Sequence, residues 1–227
     1  MRGLGTIVLA AISAVVFGAQ SYPPAFPRAN ATKLMETDRI VVWDIVWPKG
    51  QPTPMHQHVH DQVGTYYATG GRAITTPDGV KRQTTTPVGG LSTTRKGTTH
   101  IEEGTTDPPL RAVFIELKQD AGSGVAEAPS QGAAAFPKEG AKQLLDDDRV
   151  TVWDYTWTPD VRHPMVRYTR DTVVVWLGRG TMRVTTDGKP AATVAVAPGQ
   201  MRYYARGSAE VAEAIDGSPR AMIFAFK

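Results

Sequence analysis

The sequence alternates between short apolar runs and clusters of turn-forming residues. Runs such as RIVVWDIVW, RAVFIEL, DTVVVWLG, TMRVTTDG, ATVAVAPG and AMIFAFK are rich in valine, isoleucine, threonine and aromatic residues, which favour β-strands. Glycine, proline and two Asp-Gly pairs, Asp78-Gly79 and Asp187-Gly188, separate such runs, and Asp-Gly between strands is typical of a tight hairpin. No helical periodicity stands out beyond the first residues. The pattern therefore predicts an all-β fold of barrels or sandwiches.

The chain also repeats itself. The segment AFPRANATKLMETDRIVVWDIVWPKG from Ala25 has a counterpart, AFPKEGAKQLLDDDRVTVWDYTWTPD, that begins 110 residues later at Ala135. The closing segments match as well, RAVFIELK from Arg111 and RAMIFAFK from Arg220, at an offset of 109. A period this long is far above that of a solenoid repeat and indicates a duplicated domain. We predict a first domain at residues 22–119, a Gly/Ala-rich linker at 120–134 and a second domain at 135–227.

The first residues have the pattern of a secretory signal peptide. Met1 and Arg2 give a short positive start, Leu4 to Phe17 is almost entirely apolar or small, and small residues lead to Ser21. We predict cleavage after Ser21, which removes residues 1–21; the alternative is an uncleaved anchor. Export predicts a periplasmic or secreted protein without stable membrane insertion after cleavage. The sequence has no cysteine, so no disulfide is expected in that compartment.

Composition narrows the classes of function. The 227 residues are 41% hydrophobic and 21% charged, which is ordinary for a globular protein. The formal charge is +3, and charges of both signs are mixed along the chain, without a basic run interleaved with aromatic residues. We therefore expect no nucleic-acid partner. The sequence also lacks a cysteine nucleophile, a GxSxG elbow, a phosphate-binding glycine loop and a dinucleotide fingerprint.

Candidate chemistry concentrates in the stretch GQPTPMHQHVHDQ. His56, His58 and His60 alternate there, and alternate side chains of an extended strand point to one face. Three imidazoles on one face, with Gln62 next, favour a transition-metal site, because imidazole is the commonest protein ligand for such ions. The alternative is a solvated polar strand face. A further ligand would come from one of the two remaining histidines, His100 or His163.

This stretch has the spacing of one motif of the cupin superfamily. The family motif runs Gly, five residues, His, one residue, His, three or four residues, Glu, and then a closing Gly. Here Gly50 is followed after five residues by His56, and His58 follows after one more. Gln62 stands where the family has Glu, and Gly70 closes the motif. The first repeat therefore resembles a cupin.

A second cupin motif follows along the chain. The family pattern is Gly, five residues, Pro, one residue, Gly, two residues, His, three residues, Asn. The corresponding residues here are Gly89, Arg95, Gly97, His100 and Gly104, so Arg and Gly replace the family's Pro and Asn. With two matching spacings and a duplicated sequence, nearly the whole mature chain resembles a bicupin. That resemblance implies two tandem jelly-roll-like β-barrels.

The resemblance also implies one divalent transition metal ion, Fe, Zn, Mn, Ni or Cu, in the N-terminal barrel only. Its ligands would be His56, His58 and His100, with Gln62 at the fourth position. Gln62 is a weaker, neutral ligand than Glu, so it would bind through its carbonyl oxygen or hydrogen-bond a bound water. His60 would replace Gln62 as a ligand, act as an acid or base, or point out of the barrel. We name His60 and Gln62 as candidate catalytic residues.

Two carboxylates follow His100 closely. Glu102 and Glu103 are candidates for orienting an imidazole from outside the ligand set, a common arrangement around metal-binding histidines. The alternative for both is exposure at the surface.

The second repeat lacks this ligand set. The offset of 110 places Val166, Tyr168 and Thr172 opposite His56, His58 and Gln62, respectively. The position of His100 falls near Ala209 or Glu210. We expect the second barrel to act as a packing partner. The alternative is a separate pocket for an anionic ligand, lined by Arg167, Tyr168, Arg183, Arg202 and Tyr204.

Three functions fit these patterns. The first is an exported metal-dependent enzyme that acts on a small organic molecule by dioxygenase-like or isomerase-like chemistry. The second is a non-catalytic periplasmic cupin that binds a metal or a small molecule. The third is a structural domain whose histidines bind metal only adventitiously. The resemblance also makes a homodimer, formed through exposed barrel edges, an expectation.

Overall fold

The structure is a computed structural model that describes residues 21–118, 133–186 and 188–227. The predicted signal peptide and most of the predicted linker lie outside the described residues and stay predictions, as do the exact domain boundaries. The described residues form strands joined by turns and bends, without a helix. The all-β prediction is therefore confirmed.

Strands from the first repeat form two sheets. The strands are β1 (Ala31–Glu36), β2 (Ile40–Trp47), β3 (His56–Gln57), β4 (Asp61–Ala68), β5 (Gly70–Thr75), β6 (Lys81–Thr86), β7 (Leu91–Thr94), β8 (Thr99–Gly104) and β9 (Leu110–Leu117). Their orders are β1-β2-β9-β4-β7 and β3-β8-β5-β6. Side chains of the two sheets meet inside, where the guanidinium of Arg72 lies 4.9 Å from the ring centroid of Trp47. We call this half the N-terminal barrel.

The second repeat forms a matching pair of sheets, which we call the C-terminal barrel. Its strands are β10 (Ala133–Ala134), β11 (Lys142–Asp146), β12 (Val150–Thr156), β13 (Val166–Arg167), β14 (Thr172–Trp176), β15 (Gly180–Thr186), β16 (Ala192–Val196), β17 (Met201–Tyr204), β18 (Ala209–Asp216) and β19 (Arg220–Phe226). Their orders are β11-β12-β19-β14-β17 and β10-β13-β18-β15-β16. Apart from the short β10 strand, the second topology repeats the first.

The central strands of each barrel bury both of their faces. On β9, Phe114 packs with Trp43 and Trp47 inside the N-terminal barrel, whereas its neighbour Ile115 points the other way. Ile115 belongs to a second cluster that also contains Phe224 of the C-terminal barrel. Strands with two apolar faces read as nearly continuous hydrophobic runs, which explains why RIVVWDIVW and RAVFIEL show little alternation. The two barrels thus share one apolar core.

Two reciprocal ion pairs border this shared core. Arg39 of the N-terminal barrel pairs with Asp171 at 3.2 Å, and Arg149 of the C-terminal barrel pairs with Asp61 at 2.8 Å. Arg149 and Asp171 each lie 110 positions after their counterparts in the first repeat, Arg39 and Asp61. Because each barrel contributes the same patch to the other, the contact has the isologous character of a two-fold dimer interface within a single chain.

Candidate metal centre

Strand pairing brings the predicted ligands together. His56 on β3 is the direct backbone partner of His100 on β8. The amide of His58 donates to the carbonyl of Thr98 at 2.9 Å, which holds His58 beside the same strand. All three histidines are buried, at 3%, 3% and 6% exposure. A pair of residues two apart along one segment and a third on the neighbouring strand therefore converge inside the N-terminal barrel.

The three imidazoles surround one point. Their ring centroids lie 4.8 to 5.4 Å apart, and one nitrogen of each ring lies within 4.8 Å of the others. His58 Nε2 and His100 Nε2 are 3.3 Å apart. Two nitrogens that bind one ion at about 2.1 Å stand roughly 3.0 to 3.4 Å apart in octahedral or tetrahedral geometry. The donor set therefore fits one divalent transition metal ion.

The hydrogen bond made by His56 leaves a lone pair on its other ring nitrogen. His56 Nδ1 lies 3.0 Å from the carbonyl oxygen of Pro54, so the ring donates there and keeps Nε2 unprotonated. His56 Nε2 is buried and has no hydrogen-bond partner among the described residues. Burial also lowers the pKa of His56, and lowers those of His58 and His100 to about 4. All three rings are therefore neutral at pH 7, the form that binds metal.

His60 lies apart from this cluster. The prediction of one continuous strand through the three alternating histidines is wrong, because β3 ends at Gln57 and the chain bends at Val59 and His60 before β4 begins. Burial, the larger effect, raises the pKa of the Glu116 carboxyl. His60 lies close enough to Glu116 to oppose this shift. The metal cluster thus holds three histidines, and the catalytic role of His60 stays a prediction.

Gln62 points into the N-terminal barrel. It alternates on β4 with Val63, which belongs to the core shared by the barrels, so the Gln62 side chain lies on the interior face. It is 4% exposed, and its Nε2 has no hydrogen-bond partner among the described residues. A buried amide without a partner is available to an additional group. Its place as a fourth ligand stays a prediction.

A buried carboxylate borders the histidines. Glu102 lies two residues after His100 on the same face of β8, with its Oε1 3.8 Å from His100 Nε2. It accepts hydrogen bonds from Arg28 at 2.6 Å, Arg72 at 2.5 Å and the indole NH of Trp47 at 3.2 Å. Although burial opposes ionisation, the two guanidinium groups hold the Glu102 pKa well below its usual range. Glu102 is therefore a fixed anion beside the centre.

The neighbouring carboxylate does not share this environment. Glu103 points away from the histidines and pairs with the exposed Lys81 at 2.6 Å. Sequence reasoning missed three groups of the interior, namely Arg28, Arg72 and Glu116, the last of which accepts the indole NH of Trp43 at 2.8 Å. A charged residue at an inward position of an apolar strand was the available signal for Glu116, in the run RAVFIELK.

A cavity of about 970 Å³ lies beside the centre, with His100 in its wall. The remaining lining combines apolar surface, as at Ile74 and Val80, with many hydroxyl groups, three arginines and one carboxylate, namely Arg72, Arg82, Arg95 and Asp78. Such a wall offers hydrogen-bond donors to a polar or anionic molecule. The site therefore combines a metal-binding cluster with room for a small molecule.

The C-terminal barrel has lost the cluster position by position. Val166 pairs with Glu210 as His56 pairs with His100, so Glu210 occupies the His100 position. Tyr168 takes the place of His58 and stacks on Tyr204 with ring centroids 4.0 Å apart. Among the described residues, the three histidines of the N-terminal barrel are the single group of His, Cys, Asp or Glu arranged to hold a metal ion.

No family model and no curated protein matches the chain. Its structure resembles a cupin 2 conserved barrel domain protein from Leptotrichia buccalis, with a TM-score of 0.58 and 12% identity over 87% of this chain and 88% of that one. It also resembles the oxalate decarboxylase of Bacillus subtilis, described with Mn(II) centres. The TM-score is 0.53 and the sequence identity 12%, over 83% of this chain and 69% of that one. A third similar structure is a mutant of the salicylate 1,2-dioxygenase from Pseudoaminobacter salicylatoxidans. Its TM-score is 0.56 and its sequence identity 11%, over 82% of this chain and 71% of that one.

These similarities, with the strand orders above, show a cupin fold with two barrels in one chain. The histidine cluster lies in the N-terminal barrel, as the resemblance implied. In the described part of the chain, no helix has the length and apolar character needed to cross a membrane.

Proposed function

We propose that this protein is a metal-dependent cupin enzyme that acts on a small organic acid in the N-terminal barrel. The single observation that carries the proposal is the buried convergence of His56, His58 and His100, with neutral rings and a free Nε2 on His56. A divalent ion bound there supplies Lewis-acid or redox chemistry. Dioxygenase-like and isomerase-like reactions are both compatible with such an ion.

The residues around the cluster have separate tasks in this proposal. Gln62 holds the fourth position or a bound water, and Glu102 places a negative charge 3.8 Å from His100 Nε2. His60 acts as an acid or base at the edge of the site. Because Gln62 is neutral where cupins carry Glu, the site brings one negative charge fewer to the ion.

The charge around the site supports an anionic substrate. Glu102 neutralises one of its two arginines, Arg28 and Arg72, so this buried group keeps one net positive charge before a metal ion is added. The cavity wall adds Arg82 and Arg95 against one carboxylate, Asp78, although Arg95 also lies 3.5 Å from Asp61. Oxalate and salicylate, which name the enzymes of two structural neighbours, are small carboxylic acids.

A second candidate function is binding without turnover. Glu102 is the carboxylate beside the cluster, yet its two arginines keep it ionised, so it cannot shuttle a proton at neutral pH. An enzyme would need His60 or the substrate itself for proton transfer. Without such a group, the protein would be a periplasmic cupin that binds a metal or a small molecule.

Export completes the proposal. Residues 1–21 would direct the chain to the periplasm or the medium and be removed, leaving the domains 22–119 and 135–227 joined by the linker 120–134. Pairing into a homodimer through exposed barrel edges also belongs to the proposal.

The test compares the metal content of three mature proteins, the wild type, His100→Ala and His163→Ala. His163 is a matched control, because it is a histidine of the C-terminal barrel outside the cluster. We expect one equivalent of a transition metal in the wild type and the control and none in His100→Ala. Absence of metal from all three would refute the proposal. Metal-dependent turnover of small carboxylic acids, followed by dioxygen uptake and product analysis, separates the enzyme from the binding protein.

A further inference from the structure

The interior of the C-terminal barrel contains hydrogen-bond donors equivalent to those that bind Glu102 in the N-terminal barrel, but it has no carboxylate at the position of Glu102. In the N-terminal barrel, the Glu102 carboxylate accepts from Arg28 and from the indole NH of Trp47. The equivalent positions, 110 residues later, are Ala212, Lys138 and Trp157. Strand pairing supports this alignment, because Glu102 is the partner of Ile74, and Ala212 is the partner of Val184.

Both donors remain in place without an acceptor. The indole Nε1 of Trp157 is buried and has no hydrogen-bond partner among the described residues. The ammonium of Lys138 lies 5.5 Å from the Trp157 ring centroid and makes no hydrogen bond or ion pair with the described residues. Burial of Lys138 lowers its pKa. A buried donor without a partner destabilises the folded state, so the barrel would gain from an added acceptor.

A largely apolar cavity is lined by Trp157, the tryptophan beside which Lys138 lies. Its volume is about 560 Å³, within the range of small-molecule sites. Trp157 and Ala212 line it, together with Trp176, Met182 and Val184. Met182 stands where the N-terminal barrel has Arg72, and Ala212 stands where it has Glu102. The buried Arg72–Glu102 pair is therefore replaced by two uncharged residues, and the smaller of them leaves room. The walls fit an aromatic or aliphatic body.

The charges around the cavity favour a single negative charge on that body. Glu210 is 2% exposed and lines the cavity; its Oε1 accepts from the hydroxyl of Tyr168 at 3.2 Å, and its Oε2 lies 3.4 Å from Arg202 without a hydrogen bond among the described residues. Arg202 and Lys138 both attract Glu210, so the three groups together carry one net positive charge. A monoanion would neutralise it. Of the five residues of the alternative anionic pocket, Tyr168, Arg202 and Tyr204 line this cavity, whereas Arg183 is largely exposed and pairs with Glu213; that pocket stays a prediction.

We propose that the C-terminal barrel binds a small aromatic or aliphatic monocarboxylate, whose carboxylate takes the place that the Glu102 side chain has in the N-terminal barrel. Lys138 and the indole NH of Trp157 contact the carboxylate, and Trp176, Met182 and Val184 contact the apolar body. The site needs no metal and is separate from the histidine cluster, so it goes beyond the proposed function of the N-terminal barrel.

The experiment titrates benzoate into the full mature chain, treated with a chelator and carrying His100→Ala so that the N-terminal site is disabled. Binding is measured by calorimetry, and the five indole NH signals are followed by NMR with ¹⁵N-tryptophan. The Trp157 signal is assigned with Trp157→Phe. We expect saturable binding and a shift of the Trp157 indole NH, whereas benzyl alcohol, which has no carboxylate, binds at least about tenfold more weakly.

Two variants test the contacts. Lys138→Met should weaken benzoate binding about ten- to hundredfold, because a charge-assisted hydrogen bond is lost. Lys142→Met changes an exposed lysine of the same barrel and should bind as the parent does. Ala212→Glu restores the missing carboxylate and should abolish binding. Absence of saturable binding, an unmoved Trp157 signal, or equal affinity in Lys138→Met and its control would overturn the proposal, even if Ala212→Glu fails to fold.

Discussion

Replacing Glu102 with Gln tests the arrangement that surrounds the metal centre. The substitution keeps the shape of the side chain and removes its charge. Arg28 and Arg72, whose side chains are each 10% exposed, then lose their shared counter-ion inside the barrel. Breaking one partner of a buried ion pair costs about 3–5 kcal/mol, because the remaining charge stays buried without compensation. We expect the free energy of unfolding to fall by about that amount.

The assay is urea denaturation of the metal-free protein, followed by tryptophan fluorescence. The matched control is Glu103→Gln, one position along β8, where the ion pair with Lys81 is exposed to solvent. Exposed pairs contribute at most about 1 kcal/mol, so this control should unfold close to the wild type. A Glu102→Gln protein that unfolds within about 1 kcal/mol of its control would refute the reasoning.

The same variant affects the metal. Glu102 lies 3.8 Å from His100 Nε2 and provides the negative charge nearest to the cluster. Removing a negative charge this close to a cation site should lower metal affinity, by about 10- to 100-fold if it matches the usual effect of groups around the ligands. Competition with a chelator of known affinity measures the change. Unchanged affinity would show that Glu102 serves the stability of the barrel alone.

The geometry gives three further predictions. The pKa values of His58 and His100 are about 4 in the folded protein, below the ordinary value near 6.5. Because the unfolded chain takes up protons at a higher pH, the metal-free protein should lose stability as pH falls from 6.5 to 4. Urea denaturation midpoints that stay constant over this pH range would contradict this prediction. Asp61→Asn removes a part-buried partner of Arg149 between the barrels and should lower the free energy of unfolding by about 1–3 kcal/mol, and an unchanged denaturation midpoint would count against the reciprocal ion pairs. His60→Ala should retain the full metal content because His60 lies outside the cluster, and loss of the metal on elemental analysis would place His60 among the ligands.

The two barrels show how a duplicated interior can diverge. The indole NH of Trp43 donates to Glu116 at 2.8 Å, whereas the equivalent Trp153 has a buried indole NH without a partner among the described residues. The reason is that Ala225 stands where the first repeat has Glu116. Trp157 lost its acceptor in the same way, through Ala212. Both halves thus keep the tryptophans as packing residues, whereas the carboxylates that accept their indole NH groups are present only in the N-terminal barrel.

The sequence by itself determined the class of fold and the core of the candidate site. Alternating turns and β-branched runs led to the all-β architecture, and the 110-residue offset predicted two similar halves. Motif spacing then selected His100 over His163 as the partner of His56 and His58. These conclusions hold because strand propensity, repeats and motif spacing are local properties of a chain.

Only the tertiary structure decided which neighbours meet. A face can be assigned from spacing only while the strand continues, and the bend at Val59 and His60 ends that assignment. The register of β8 turned Glu102 inward and Glu103 outward, and the pairing of β13 with β18 placed Glu210 rather than Ala209 at the His100 position. Arg28 and Arg72 reach Glu102 from other parts of the chain, separated from it by 74 and 30 positions. Such contacts depend on pairing between distant strands, which sequence spacing does not encode.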